Sequence, residues 1–171
     1  MRTAQPPAER LAEREQVLLR FVERFAMVLT ETGLPRMPAR VFAYVLADDA
    51  ERYTAAELAT GLRVSPAAIS GAVRHLVQLG YLAKERLPGH RTDTYHIYDS
   101  DVWGSIIMQQ DRVLETYEQV AAEGADVLGD TPGGRRLRET AEFFAFLRSE
   151  QPKVIERWHE HRRTFRNPHR A

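Results

Sequence analysis

The stretch VSPAAISGAVRHLVQLGYL, Val64 to Leu82, decides how the chain folds. Ser65 can accept a backbone N–H as N-cap, and Pro66 follows at the first helical position, where its missing N–H and fixed φ do no harm. The spacing predicts a helix from Pro66. Ile69, Val73, Leu76 and Val77, with Leu79 near the end, form an inward apolar stripe, and Gly80 supplies the stop. The other face carries Ala67, Ala68, Ser70, Gly71, Arg74, His75 and Gln78. Small residues in the first turns let a helix backbone approach a groove floor, and an arginine further along can reach a guanine edge or a phosphate. On an isolated helix the same face would simply be solvated, so its neighbours decide.

Upstream, TAAELATGLRVS places Thr54 as a cap with Glu57 three residues on, a capping-box pattern that opens a short helix ending near Gly61. Two helices joined by a tight turn at Leu62 to Ser65 make a helix-turn-helix, with Ala59 small enough for close crossing. Downstream, YLAKERLPGHRTDTYHIYDS alternates as a strand, turns around Pro88-Gly89, and returns through Thr94 to Tyr98. That hairpin is a wing.

Charge follows the same segment. From Arg63 to Arg91 the basic residues are Arg63, Arg74, Lys84, Arg86 and Arg91 and the acid is Glu85, five minus one, or plus four. The whole chain, with 24 basic and 24 acidic residues, balances to zero. Positive charge concentrated on a segment shaped for a duplex points to DNA.

Around this segment lie long amphipathic helices. Leu11, Val17, Leu18, Phe21, Val22, Phe25, Val28 and Leu29 recur at three and four from Ala8 to about Thr32, before Gly33 and Pro35. Pro38 to Ala47 predicts the first helix of a three-helix core, and Tyr53 the start of a small third strand. From Val102 one helix is expected to about Glu123, with Trp103, Ile106, Val113, Tyr117 and Val120 on a broad side. Gly124 to Gly134 reads as an interhelical loop, Arg135 to Glu150 as a helix, and a last helix begins after Pro152, followed by a basic tail.

At 171 residues and 43% hydrophobic content the chain can hold one core, or one small domain plus helices that need a partner. Zero cysteines remove disulfides, thiolate zinc sites and thiol redox switches. No apolar run has membrane-spanning length and the start lacks a signal-peptide core, so a cytoplasmic protein is expected. His159 and His161, two apart on a helix, point to nearly opposite sides and cannot share an ion, so no metal is expected. No nucleophile elbow, paired carboxylates or nucleotide fingerprint is present, and neither an enzyme nor a cofactor is expected. Trp103, Tyr117, Phe143, Phe144, Phe146 and Trp158 form an aromatic set that packs as core or lines a cage.

Helix-turn-helix followed by a hairpin with a basic tip, inside a small helical chain, resembles the MarR-type winged-helix transcriptional regulators. The wording SPAAISGAVRHLVQLGYL and the long flanking helices are most similar to the GbsR-like branch. The resemblance implies a mainly α fold with a small β-wing: a winged helix-turn-helix at 35–99, flanked by dimerisation helices at 1–34 and 100–171. It implies a homodimeric regulator on double-stranded DNA, acting as a repressor at a near-palindromic operator. Ser65, Ala67, Ser70, Gly71, Arg74 and His75 would line the major groove, and Lys84, Arg86, His90 and Arg91 would meet phosphates or the minor groove. A small-molecule effector, with Trp103, Tyr117, Phe144 and Trp158 as candidate lining, is also implied. The competing expectation is a winged-helix interaction module that binds an acidic protein partner.

Overall fold

The structure, a computed structural model, describes residues 7–86, 89, 91–97 and 101–166. In chain order it contains α1 (Pro7–Glu31), α2 (Arg36–Ala47), β1 (Tyr53–Thr54), α3 (Ala55–Leu62), α4 (Pro66–Gln78), β2 (Leu82–Glu85), β3 (Thr94–Ile97), α5 (Val102–Gln109), α6 (Asp111–Leu128) and α7 (Pro132–Arg166). Contacts divide the chain into two units, Met1–Ser100 and Asp101–Ala171. The fold is mostly helical with a small antiparallel wing, as the sequence predicts.

In the first unit side-chain capping starts α3 and α4. The Thr54 hydroxyl accepts the Glu57 N–H at 3.2 Å while the Glu57 carboxylate accepts the Thr54 N–H at 2.6 Å, a complete capping box. The Ser65 hydroxyl accepts the Ala68 N–H at 3.3 Å, with Pro66 next. Each such cap is worth about 1 kcal/mol, which matters for an α3 of eight residues that could not persist alone. Tertiary burial supplies the rest: Phe42, Leu58, Leu62, Ile69, Leu76 and Leu82 are completely buried between α2, α3, α4 and the sheet. At roughly 25 cal/mol per Å² of apolar area, each contributes on the order of 2 kcal/mol.

The turn of the helix-turn-helix differs in one detail from the sequence expectation. Helix α3 passes Gly61 and ends after Leu62, and the left-handed cap is Arg63, at φ 55° and ψ 46°. Gly61 is used for close packing instead, because a Cβ there would lie 2.2 Å from the Tyr44 hydroxyl oxygen on α2. The wing is a three-stranded antiparallel sheet ordered β1-β3-β2, pairing Tyr53 with Tyr95, Lys84 with Tyr95 and Leu82 with Ile97. Alternation therefore puts Leu82, Lys84, Tyr95 and Ile97 on one face. Tyr95 is buried, so this is the covered face.

Three expectations for the second unit are corrected. The helix beginning at Val102 breaks at Gln110, whose N–H reaches only three residues back to the Ile107 carbonyl at 3.1 Å while its own carbonyl accepts the Val113 N–H at 2.9 Å. A new helix then starts at Asp111, where negative charge suits a helix N-terminus and Arg148 of α7 grips the carboxylate at 3.1 Å. The expected loop from Gly124 to Gly134 shrinks to residues 129–131, because Gly124 stays helical with Leu137 packed within 2.8 Å of its would-be Cβ position. Finally, Pro152 begins no separate helix. It lies inside α7, a helix of 35 residues, or about 52 Å at the helical rise. A proline removes a single N–H, and contacts of α7 with both α5 and α6 hold the helix through that loss.

The expected broad side of α5 and α6 is likewise split. Ile106 is buried, whereas Val113, Tyr117 and Val120 are exposed. Helix α6 instead turns Ala121 and Ala125 inward, small residues that let α7 lie close.

Candidate nucleic-acid interface

Helix α4 presents the predicted strip. Ser65, Ala67, Ser70, Gly71 and Arg74 are exposed, His75 is half-buried, and Ile69, Ala72, Val73 and Leu76 hold the other side in the core. A Cβ built on Gly71 meets nothing within 4 Å, so packing does not require glycine there. Ser70, Gly71 and Arg74 fall within one turn of each other on this face, giving a stretch of nearly bare backbone beside one long cation.

The wing lies next to this strip. A cavity of about 300 Å³ between helix and hairpin is lined by Ser70, Arg74 and Gln78 from α4 and by Lys84, Asp93 and Tyr95 from the wing. Gly89, at φ 81°, lies in the turn of the hairpin, where a positive φ suits glycine. Arg91 is exposed nearby. His90 and residues 167–171 of the basic tail lie outside the described residues.

The electrostatics modify the expectation of a plain basic patch. Asp93 accepts from Lys84 Nζ at 2.7 Å and from Arg86 Nη2 at 2.7 Å. Lys84 first, then Arg86, holds the Asp93 carboxyl below the ordinary aspartate range, so it is ionised at neutral pH. Arg63 pairs with Glu15 of α1 at 2.9 Å, and Glu85 pairs with Arg52. Among the described residues only Arg74 and Arg91 of the five counted cations have no acidic partner. The count from Arg63 to Arg91 stopped two residues short of Asp93, which is why sequence reasoning missed it.

The aromatic candidates are brought together only in part. Tyr117 of α6 and Phe144 of α7 pack as a tilted pair with ring centroids 5.2 Å apart, and Phe143 adds an edge contact to Phe144 at 5.4 Å. Trp158 is occupied elsewhere, donating its indole N–H to Asp101 at 2.8 Å. Trp103 on α5 is partly exposed. Asp101 also bonds His159 Nε2 at 2.8 Å, while His161 lies against the Trp158 ring, centroids 6.0 Å apart. The two histidines thus have different neighbours, and among the described residues no His, Cys, Asp or Glu group is arranged to hold a metal ion. No helix among them is long and apolar enough to cross a membrane.

A capped helix-turn-helix whose second helix turns a small-residue face outward, followed directly by a β-hairpin that joins β1 in a three-stranded sheet, defines a winged-helix DNA-binding protein. Residues 32–91 match the sequence pattern of the MarR family, and residues 101–161 match that of MmpR5-like MarR family transcriptional regulators. The chain belongs to the MarR family of transcriptional regulators. Over 135 residues it is 30% identical to the HTH-type transcriptional regulator MmpR5 of Mycobacterium tuberculosis, an alignment covering 78% of this chain and 81% of that protein. It is also similar to a crystal structure of a transcriptional regulator, with TM-score 0.73 and 26% identity over 84% of this chain and 98% of the other.

Proposed function

We propose that the chain acts as a homodimeric repressor that reads a near-palindromic operator. The observation behind this reading is the α4 face itself: exposed Ser65, Ala67, Ser70, Gly71 and Arg74, with a wing whose Arg91 has no described acidic partner. In this reading Arg74 reaches a base edge, Gly71 admits the groove floor, His75 lines the major groove with them, and Lys84, Arg86, His90 and Arg91 meet phosphates or the minor groove. Residues 1–34 and 100–171 form the dimer platform and 35–99 form the DNA-binding domain. Leu11, Val17, Phe21, Met27 and Val28 on α1 are exposed in the single chain, as are Val113, Tyr117, Val120, Phe143 and Phe146. Apolar side chains at helical spacing in such number need a cover, and a second copy supplies it symmetrically. Repression requires no more than occupancy of the operator.

The GbsR-like kinship rests on the wording of the recognition helix and on the flanking helices, while the match over residues 101–161 favours an MmpR5-like affiliation for the C-terminal unit. A small-molecule effector is the remaining part of the proposal, with the Tyr117–Phe144 pair as its best supported lining. It would act by changing how the two recognition helices are spaced.

Selection of bound fragments from a random duplex library, at physiological salt with competitor DNA, tests the reading. An inverted repeat with half-sites about 34–36 Å apart is the expected outcome. A soluble dimer that recovers no shared sequence would sink operator recognition and favour an acidic protein partner.

A further inference from the structure

Lys84, Arg86 and Asp93 form a closed ionic cluster on the wing. Lys84 Nζ meets one Asp93 oxygen at 2.7 Å, and Arg86 meets the other with Nη2 at 2.7 Å and Nε at 2.8 Å. The asymmetry of exposure is informative. The Asp93 side chain is 20% exposed, against 49% for Lys84 and 63% for Arg86, so the acid is set in and the cations close over it. Strand alternation places Lys84 on the covered face, opposite Tyr95, and Asp93 two residues before Tyr95 on that same face. Asp93 consequently lines the cavity shared with Ser70, Arg74 and Gln78 of α4. A duplex backbone lying between recognition helix and wing would run past this carboxylate.

We infer that Asp93 is an affinity-setting residue, an internal counter-charge that occupies the wing's two cations and is displaced by a DNA phosphate. This rests on the DNA-binding reading and deepens it. A phosphate can engage Lys84 or Arg86 only by drawing it away from a carboxylate already at hydrogen-bonding distance, so each cation contributes less than one whole phosphate contact. The freed carboxylate also faces the incoming strand and repels it. Both effects lower sequence-independent affinity, which is valuable to a regulator surrounded by a large excess of nonspecific sites. Arg74 and Arg91, which have no such partner, keep their full contribution.

The test measures binding of the full chain to a random-sequence duplex across a salt series. Each added phosphate contact steepens the log–log salt slope by about 0.9, so freeing two cations by Asp93→Asn steepens it by up to roughly 1.8. With equal binding at about 1 M salt as the reference, that slope corresponds to a gain in affinity of up to about thirtyfold at about 0.15 M. Lys84→Gln or Arg86→Gln made in the Asp93→Asn background should each remove nearly a full unit of slope, and in the wild-type background clearly less. Wild-type slope and affinity in Asp93→Asn would overturn the proposal. If Asp93→Asn damages the wing, the single substitutions still decide, because a full unit lost from either one in the otherwise wild-type chain also overturns it. If the wild type and every variant bind no duplex at any salt, the DNA-binding reading itself fails, and the counter-charge role falls with it.

Discussion

Gly61 of α3 packs against Tyr44 of α2 so closely that a Cβ on it would lie 2.2 Å from the Tyr44 hydroxyl oxygen and 2.5 Å from Cζ. The first helix of the helix-turn-helix is therefore seated by an aromatic ring pressed on bare backbone. Tyr44 in turn makes an edge contact with Tyr53 at the start of the sheet, centroids 5.8 Å apart. Gly61→Ala would gain up to about 1 kcal/mol of helix propensity, but overpacking at a buried contact costs typically 1–3 kcal/mol. A net loss is expected, measured as a lower urea midpoint, and Tyr44→Leu in the same chain should recover part of it. An unchanged or higher midpoint would show that the ring moves aside freely.

The same substitution ten residues on should have the opposite sign. Gly71 lies mid-helix on the outer face of α4, with no atom within 4 Å of an added Cβ. Gly71→Ala should stabilise the fold by about 0.5–1 kcal/mol, since alanine loses less backbone freedom. If the bare backbone is where α4 meets the groove floor, the more stable protein binds its operator less tightly. Unfolding and operator titration on one preparation check both halves. Stability and affinity that rise together would remove Gly71 from the contact surface.

What was legible in the sequence was what is local. Ser65-Pro66, Thr54 with Glu57, and the period-two pattern around Tyr95 each act within a few residues, and all took the predicted form. The breaks were harder to read because their causes lie elsewhere in the chain. The α5/α6 boundary at Gln110 involves no glycine or proline, and Arg148, 37 residues on, holds Asp111 at the start of α6. Pro152 looked like a boundary, yet a long helix packed on two others tolerates it. The candidate site shows the same division. The exposed strip of α4 follows from periodicity, whereas the neutralising role of Asp93 depends on hairpin register that charge counting ignores.

Asp101 shows how far such a partner can lie. It opens the C-terminal unit and is almost fully buried, and its carboxylate accepts from Trp158 and bonds His159, both late in α7. Gly104 admits it, since a Cβ there would lie 2.3 Å from Oδ2. Burial pushes the carboxyl upward, but bonds from Trp158, His159 and the Gly104 amide outweigh that and hold it below the usual aspartate value. A depressed folded value means the stabilisation is present above the unfolded pKa of about 3.9 and is lost as pH falls through the folded value. Asp101→Asn keeps one acceptor of two and should cost about 1–3 kcal/mol near pH 7. The difference from wild type should shrink steadily below about pH 4. Urea midpoints at pH 7 and pH 3 supply the comparison, and a gap of equal size at both would exclude the ionised carboxylate as the source.

Arg74 and Arg91 separate the two kinds of contact expected of a reader of DNA sequence. Arg74 projects from α4, one turn beyond Ser70 and Gly71, whereas Arg91 follows the turn of the wing. If Arg74 reads a base edge, Arg74→Ala should cost roughly 1–3 kcal/mol on the selected operator and relax preference at one position per half-site, with a smaller effect on random duplex. Arg91→Ala should instead weaken all duplexes alike and lower the salt slope by about one, because a phosphate contact carries no sequence information. Competition titrations against operator variants at two salt concentrations distinguish the two patterns. Interchanged behaviour would mean that the wing, not the helix, discriminates bases, and unchanged binding in both variants would remove this face from the DNA interface.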